Sequence, residues 1–209
     1  MNAKPVIDAG PALNFLAINQ ERLLLAVLGP ISTPETVESE VLRKSRTDRR
    51  FERIGLVWSK LTPKWVEVLS DEWTDTLEAV CARQLDMPWT ERKKQARDLG
   101  ELLVVAHAVA AAEEGHSVTV VIDDQSGARM ATAEAQRLDR LRAQQRTVGR
   151  IILVNTAIIL ERAAGTAHIP DRATMKAIYA KLRACDDGLS PISNTRLLSA
   201  DLWDGQGSL

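Results

Sequence analysis

Residues 118–122, VTVVI, decide the fold that we expect, because they are the clearest strand signal in the chain. Gly115 precedes this β-branched run, and Asp123 and Asp124 follow it directly. A continuous β-branched run is typical of a central strand in a parallel sheet, where both faces are covered. The run therefore predicts a buried strand that ends at two carboxylates.

Helical and strand-like segments alternate on both sides of this run. Thr33 has the pattern of a helix N-cap, with Pro34 at the first helical position. This alternation predicts an α/β three-layer sandwich, in which a parallel sheet with right-handed crossovers lies between helices. The other predicted strands cover 5–9, 31–32, 64–70 and 151–154. The predicted helices cover 12–28, with a polar break at 19–21, and 34–46, 48–60, 72–85, 90–114, 125–146, 156–164, 172–184 and 194–202.

The composition fits one soluble domain over residues 1–209, because 45% of the residues are hydrophobic, 26% are charged and no linker divides the chain. The 27 Lys and Arg residues balance 28 Asp and Glu residues, which excludes a uniformly basic protein that coats nucleic acid by charge alone. Cys81 and Cys185 lie far apart without a secretory segment, which predicts reduced thiols and a cytoplasmic location. No apolar run approaches the ~20 residues that span a bilayer.

Several acids are placed where the expected sheet would bind a ligand. In open parallel sheets, ligands bind outside the carboxyl ends of the strands. Asp8 ends the first strand, and the two aspartates after VTVVI end the central one. Glu40 and Glu101 lie on adjoining helices, and Asp98 precedes Glu101 by three residues as a reserve candidate.

Each acid also has a structural interpretation that the sequence leaves open. Asp8 could cap the helix that follows it, and the aspartates after VTVVI could cap the next helix from a solvated turn. Asp98 and Glu101 have the spacing of a capping box. Glu40 could be one of several solvent-facing acids on its helix.

Taken together, the acids favour a metal site. Several carboxylates in one cleft would repel each other, and their pKa values would rise unless a cation neutralised them. A set of oxygen ligands without Cys or paired His points to Mg²⁺ or Mn²⁺ rather than zinc. Such sites commonly hydrolyse phosphodiesters, because the metal activates water and offsets charge on the phosphate.

Four segments, in this order, resemble the PIN-domain ribonucleases, specifically the VapC-like toxins of bacterial toxin–antitoxin pairs and their uncharacterised relatives. A fifth and weaker segment, NTAIILERAAGTAHIP at 155–170, is similar to a continuation seen in one PIN subgroup. The four segments, which cover most of the chain, are VIDAGPALNFL (6–16), TPETVESEV (33–41), DLGELLVVAHA (98–108) and VTVVIDDQSGARMA (118–131).

The resemblance implies a PIN-like fold and a Mg²⁺- or Mn²⁺-dependent endoribonuclease that leaves a 5′-phosphate and a 3′-hydroxyl. It implies Asp8, Glu40, Glu101 and Asp124 as catalytic metal ligands, while Asp123 competes for the fourth place. A toxin would have a small antitoxin protein as partner and would form a homodimer. The alternative is a catalytically silent module that binds RNA or protein.

Two features depart from the family pattern. The third acid is Glu where many of the toxins carry Asp. Helical insertions near 48–60 and 72–96, together with helices over 172–202, exceed the minimal toxin length. The departures leave the choice of RNA and the toxin role open.

A basic run, RKSRTDRRFER at 43–53, follows Glu40 and predicts a cationic rim for RNA. The candidate phosphate contacts are Arg43, Arg46, Arg49 and Arg50 from this run, with Ser126 and Arg129 after the fourth acid. A solvated helix face is the alternative for the run, and a salt bridge to the acids is the alternative for Arg129. Asn14 is a candidate for supporting the site, whereas His107 and Trp58, Trp65, Trp73 and Trp89 are expected to pack.

Overall fold

Five strands form one sheet in this computed structural model, which describes residues 2–72, 74–85 and 99–204. Every strand pairing is parallel, and the strands lie in the order β3-β2-β1-β4-β5. In chain order they are β1 (Val6–Ile7), β2 (Ile31–Pro34), β3 (Val66–Leu69), β4 (Ser117–Val121) and β5 (Arg150–Val154).

Helices connect successive strands, as the alternating sequence pattern predicts. Short 3-10 turns cover Arg49–Phe51 and Ile192–Asn194. The described helices are α1 (Ala9–Ala17), α2 (Glu21–Leu28), α3 (Glu35–Thr47), α4 (Ile54–Leu61), α5 (Asp75–Leu85), α6 (Leu99–Glu113), α7 (Gln125–Ala143), α8 (Thr156–Ala163), α9 (Arg172–Cys185) and α10 (Ala200–Asp204).

The helices flank the sheet in two groups. Helix α1 contacts α2, α3 and α4, whereas α6 contacts α5 and α7 and packs along β2, β1, β4 and β5; α3 also contacts α6. With right-handed crossovers, the first group covers one face of the sheet and the second covers the other. Helix α6 is apolar on nearly all sides, because it lies between the sheet and its neighbouring helices. The predicted α/β class, with a parallel sheet between helices, is confirmed.

The order in which the chain adds strands reverses between β1 and β4. Strands β2 and β3 lie on one side of β1, and β4 and β5 lie on the other. Val6 pairs with Ser32 on one side and with Val120 on the other. The backbone N–H of Asp8 donates to the carbonyl of Val121 at 3.0 Å. The residues that follow β1 and β4 are therefore neighbours at the switch point of the sheet, where ligands bind in folds of this kind.

The predicted N-cap at Thr33 is wrong. Thr33 lies in β2, and α3 begins two residues later at Glu35. The Thr33 hydroxyl is buried and donates to the carbonyl of Ile7 at 3.0 Å, so it serves the sheet instead of the helix. Asp71 takes over the capping role, because its carboxylate accepts the N–H of Thr36 at 2.7 Å.

Three predicted helices are interrupted. The segment over 12–28 divides into α1 and α2 at the polar break that the sequence shows, where Asn19 has a φ of 56°. The helix over 48–60 divides because Asp48 accepts the N–H of Arg50 and caps a separate 3-10 turn. The helix over 194–202 is wrong in its first part, where the Thr195 hydroxyl and the Ser199 N–H close turns before α10 begins.

The tryptophan residues do not share one environment. Trp58 is only 2% exposed and packs in the core as expected, while its indole N–H donates to Glu38. Trp65 is 38% exposed, against expectation, because it lies just before β3 at the edge of the sheet. Trp73, Trp89, Asp98 and the predicted helix start near Thr90 lie outside the described residues.

Both cysteines carry free thiols. Burial raises the pKa of the Cys81 thiol to about 12, which makes it unreactive near neutral pH. In the described part of the chain, no helix combines the length and the hydropathy needed to cross a membrane.

Candidate functional site

A cavity of about 770 Å³ opens at the carboxyl ends of β1 and β4. It brings together carboxylates that are distant in the sequence: one follows β1, one lies on α3, one lies in the first turn of α6, two follow β4 and one follows α9. The six acids that line this acidic cavity are Asp8, Glu40, Glu101, Asp123, Asp124 and Asp186. All five acids that the sequence predicts as metal ligands are among them.

Asp8 is the most deeply buried of the predicted ligands, with 8% of its surface exposed. It occupies the N-cap position of α1, yet its side chain makes no capping hydrogen bond. Burial raises its pKa to about 6, the nearby N–H of Ala9 opposes that shift, and the charge of Glu40 adds to it. Ionised Asp8 is therefore costly in this position and would gain from a cation.

Glu40 shares its two oxygens between different neighbours. Its Oε1 lies 2.8 Å from Nζ of Lys44, one helical turn further along α3. Its Oε2 faces Gly100, where a Cβ atom would lie 3.6 Å from this oxygen, 3.8 Å from Asp8 Oδ1 and 3.3 Å from a Val37 methyl. The missing side chain at Gly100 thus lets the start of α6 come close to both Glu40 and Asp8.

Glu101 lies in the first turn of α6 and is half-buried. A Cβ atom added to Gly127 would lie 3.3 Å from the Cβ of Glu101 and within 3.2 Å of two side-chain carbons of Ile122. Helices α6 and α7 therefore approach each other closely at this point. This close packing fixes the backbone from which Glu101 enters the acidic cavity.

Asp123 and Asp124, which the sequence left as competitors, have different partners. Asp123 accepts the N–H of Thr156 at 2.8 Å and the Thr156 hydroxyl at 2.6 Å. Burial raises the pKa of Asp123, and these two hydrogen bonds oppose the increase. Asp124 is exposed and uses Oδ1 to cap α7, accepting the N–H groups of Ser126 and Gly127. Asp123 therefore ties β4 to α8, whereas Asp124 keeps Oδ2 outside its capping bonds.

Asp186 is an acid of this cavity that the sequence analysis missed. It follows α9, and its Oδ2 accepts a hydrogen bond from Nδ2 of Asn14 at 2.8 Å. Its Oδ1 accepts the N–H of Gly188 at 2.9 Å. Asn14 is 2% exposed, so this contact anchors the end of α9 on α1. The only sequence signal was the Asp-Asp-Gly turn at 186–188, which does not indicate its distant partner.

A second cavity of about 650 Å³ continues from the acidic cavity and shares Arg43 and Lys44 with it. We call this second cavity the basic groove; Arg49 and Arg50 also line it, together with the acids Asp48, Asp186 and Asp187. Arg50 is held in place, because it pairs with Asp48 at 2.7 Å and donates to the carbonyl of Cys185 at 3.0 Å. Exposed Arg43 and Arg49 form no ion pair with any described acid.

The remaining predicted phosphate contacts divide between the two surfaces. Ser126 and Arg129 line the acidic cavity. Arg129 is exposed and pairs with no acid in the described ranges, so the salt bridge considered for it is not formed. Arg46 lines neither cavity; its Nε donates to the carbonyl of Leu42 instead.

A third cavity of about 370 Å³ adjoins the acidic cavity on its other side and shares Asp123, Gln125 and Gly188 with it. Its wall includes Tyr179 and Arg196. The Tyr179 hydroxyl donates to the carbonyl of Ser190 at 2.7 Å and so fixes the segment that follows α9. The acidic cavity is therefore the middle part of a longer surface groove.

The acids fit a hard divalent cation by donor type, because carboxylate oxygens are the ligands that Mg²⁺ and Mn²⁺ prefer. Burial of Asp8 beside Glu40 also supplies a reason to bind positive charge. Their positions do not form a finished metal cage: among residues 2–72, 74–85 and 99–204, no three His, Cys, Asp or Glu side chains are grouped as metal ligands. The residue types therefore fit a divalent cation, whereas Glu40, Asp123 and Asp186 are bonded to other groups of the protein.

No protein-family model matches the chain, and neither the curated proteins nor the solved structures gave a match. The acidic cavity and the residues that line it are therefore the basis for assigning a function.

Proposed function

We propose that this chain is a metal-dependent endoribonuclease of the PIN type, which hydrolyses phosphodiester bonds in RNA. One observation carries the proposal: acids from distant parts of the sequence line a single cavity at the switch point of a parallel sheet. A structural role for each acid alone does not account for their meeting in one place.

Asp8, Glu40, Glu101 and Asp124 would hold Mg²⁺ or Mn²⁺ in this proposal, while Asp123 is the fifth candidate ligand. Such an ion supplies charge that lowers the pKa of a water molecule and neutralises phosphate oxygens. The protein contributes a buried carboxylate at Asp8, which becomes less costly when positive charge is nearby. The hydrogen bonds from Thr156 keep Asp123 oriented at the cavity wall.

The RNA would run through the basic groove into the acidic cavity. Arg43 and Arg49 lie there and form no ion pair with a described acid, so both can bind phosphate. Ser126 and Arg129 line the acidic cavity, where they would contact the phosphate near the metal. On the family resemblance alone, we also propose a toxin role, with a small antitoxin protein over the cleft and a homodimer.

A second candidate is the silent module that only binds RNA or protein. It is favoured by the partners that the acids already have: Lys44 for Glu40, Thr156 for Asp123 and Asn14 for Asp186. In that case the acids would serve the fold, and divalent metal would have no specific effect.

Cleavage of a structured RNA with Mn²⁺ tests the proposal. We expect the native chain to cleave it and an Asp8→Asn variant to lose the activity, because the buried carboxylate has no charge in that variant. Asp201→Asn is the matched control, since this acid is exposed on α10 and lies outside the acidic cavity. Equal cleavage by the native chain and Asp8→Asn, or no metal dependence, would reject the nuclease proposal and favour the silent module.

A further inference from the structure

Lys44 occupies the boundary between the acidic cavity and the basic groove. Among the described residues it is the only lysine that lines these two cavities, and its ammonium contacts Glu40 at 2.8 Å. The side chains are about one third exposed, at 36% for Lys44 and 33% for Glu40. Water therefore reaches the ion pair, and it can open at little cost.

This ion pair occupies an oxygen that the proposed metal site needs. Glu40 gives Oε1 to Lys44, while its Oε2 faces Gly100 near Asp8 Oδ1. A divalent cation that binds Glu40 meets a positive charge already in contact with the same carboxylate. Two cations on one carboxylate repel each other, so the metal and the ammonium compete for it.

We propose that Lys44 is the counter-cation of Glu40 in the metal-free protein, and that metal binding releases it to contact an RNA phosphate. This inference rests on the proposed function. A lysine suits the exchange, because its ammonium is a compact point charge on a flexible stem and donates readily to phosphate. Its place beside Arg43 at the start of the basic groove puts the released charge on the proposed RNA path.

The exchange would couple the two ligands. Metal bound at Glu40 frees Lys44 for RNA, and RNA that engages Lys44 leaves Glu40 available to metal. Because coupling between two binding sites is reciprocal, each ligand would tighten the binding of the other. Loss of Lys44 should therefore have opposite effects on metal affinity and on RNA affinity.

Calorimetry with Mn²⁺ alone is the first test. We expect Lys44→Gln to bind Mn²⁺ about three- to tenfold more tightly than the native chain, which is the scale for removing an exposed cation next to a divalent ion. Lys44→Arg should stay close to the native value, because the arginine retains the charge and the pairing. Thermal unfolding of each variant checks that the fold is kept.

Arg43→Gln is the matched control, because Arg43 lines the same two cavities but pairs with no described acid. If it tightens Mn²⁺ binding as much as Lys44→Gln does, the effect is one of overall cavity charge and the inference is overturned. If the native chain binds Mn²⁺ and Lys44→Gln binds it no more tightly, the inference fails while the proposed function remains. If the native chain binds no Mn²⁺, the proposed function fails and the inference falls with it.

RNA binding is the second test. In EDTA, where Lys44 remains paired with Glu40, we expect Lys44→Gln to change the affinity for a short RNA less than twofold. With Mn²⁺, the rate constant kcat/KM for cleavage should fall several-fold in this variant although it binds metal more tightly. A parallel rise of metal affinity and kcat/KM would overturn the release of Lys44 to RNA.

Discussion

Asp123 accepts both the backbone N–H and the side-chain hydroxyl of Thr156, at 2.8 and 2.6 Å. The Thr156 side chain is fully buried, so this pair joins the end of β4 to the start of α8 inside the protein. Asp123 therefore has a different role from Asp124, although the two residues are adjacent and line the same cavity.

Thr156→Val should destabilise the fold by about 1–3 kcal/mol, because it removes the hydrogen bond from a fully buried hydroxyl to the half-buried Asp123 carboxylate and keeps the shape of the side chain. Urea denaturation at pH 7.5 measures the change. Thr156→Ser retains the hydroxyl and is the control, with a smaller loss expected. The pKa of Asp123 should rise further in Thr156→Val, since one of the bonds that lower it is missing. Equal stability of Thr156→Val and the native chain would contradict the role of this hydroxyl.

Asp8→Asn should stabilise the metal-free protein near neutral pH. The folded-state pKa of Asp8 is about 6 against an ordinary value of 3.8, so folding favours the protonated carboxyl. The contribution of Asp8 to stability is therefore highest below pH 4 and is lost as the pH rises through 6. At pH values well above 6, the free energy of unfolding is lower by about 3 kcal/mol than it would be with a protonated Asp8.

Urea denaturation at pH 4 and at pH 7.5 checks this sign. The gain from Asp8→Asn should be large at pH 7.5 and small at pH 4, whereas Asp201→Asn should show no such pattern. Saturating Mn²⁺ should reduce the gain at pH 7.5, because the ion stabilises the ionised Asp8 of the native chain alone. An Asp8→Asn protein that is less stable than the native chain at pH 7.5 would disprove the prediction.

Asp186→Asn should lower Mn²⁺-dependent cleavage by about ten- to a hundredfold, the usual effect of losing a residue that supports a metal site. The substitution removes a charge from the acidic cavity and keeps an oxygen that can accept from Asn14. Asp187→Asn is the matched control, because that acid lines the basic groove but not the acidic cavity. Similar losses in both variants would assign the effect to the chain segment and not to the cavity.

Arg43→Gln combined with Arg49→Gln should weaken RNA binding and flatten its salt dependence. Each lost phosphate contact reduces the slope of log affinity against log salt by about 0.7 for single-stranded RNA. Fluorescence anisotropy in EDTA, at several salt concentrations, measures the slope without cleavage. Arg46→Gln should leave it unchanged, because Arg46 lines neither cavity. An unaltered slope in the double variant would place the RNA elsewhere.

The sheet and the position of its acids were predictable from short segments. VTVVI and the run before Asp8 each indicate a strand locally, and parallel strands bring their carboxyl ends to one edge. Glu40 and Glu101 were harder, since a helical acid can face solvent or the site. Their helices adjoin the strand ends, which made them candidates, and the family resemblance points to the same two residues, which the structure places in the acidic cavity.

The errors occurred where a distant partner outweighs a local preference. Thr33 has an N-cap pattern, but its hydroxyl donates to Ile7, which is 26 residues away. Asp186 contributes to the acidic cavity through Asn14, across 172 residues of sequence. No pattern within a helix or a turn records such a contact, so only the folded chain reveals it.

The bond from Asn14 to Asp186 also has a consequence for biosynthesis. Asp8 and Asn14 leave the ribosome before Asp186 and Gly188, which emerge more than 170 residues later. The acidic cavity obtains that wall only when α9 has been made and has docked on α1. A nascent chain that stops before this point carries all five of the predicted ligands without the wall that Asp186 and Gly188 add.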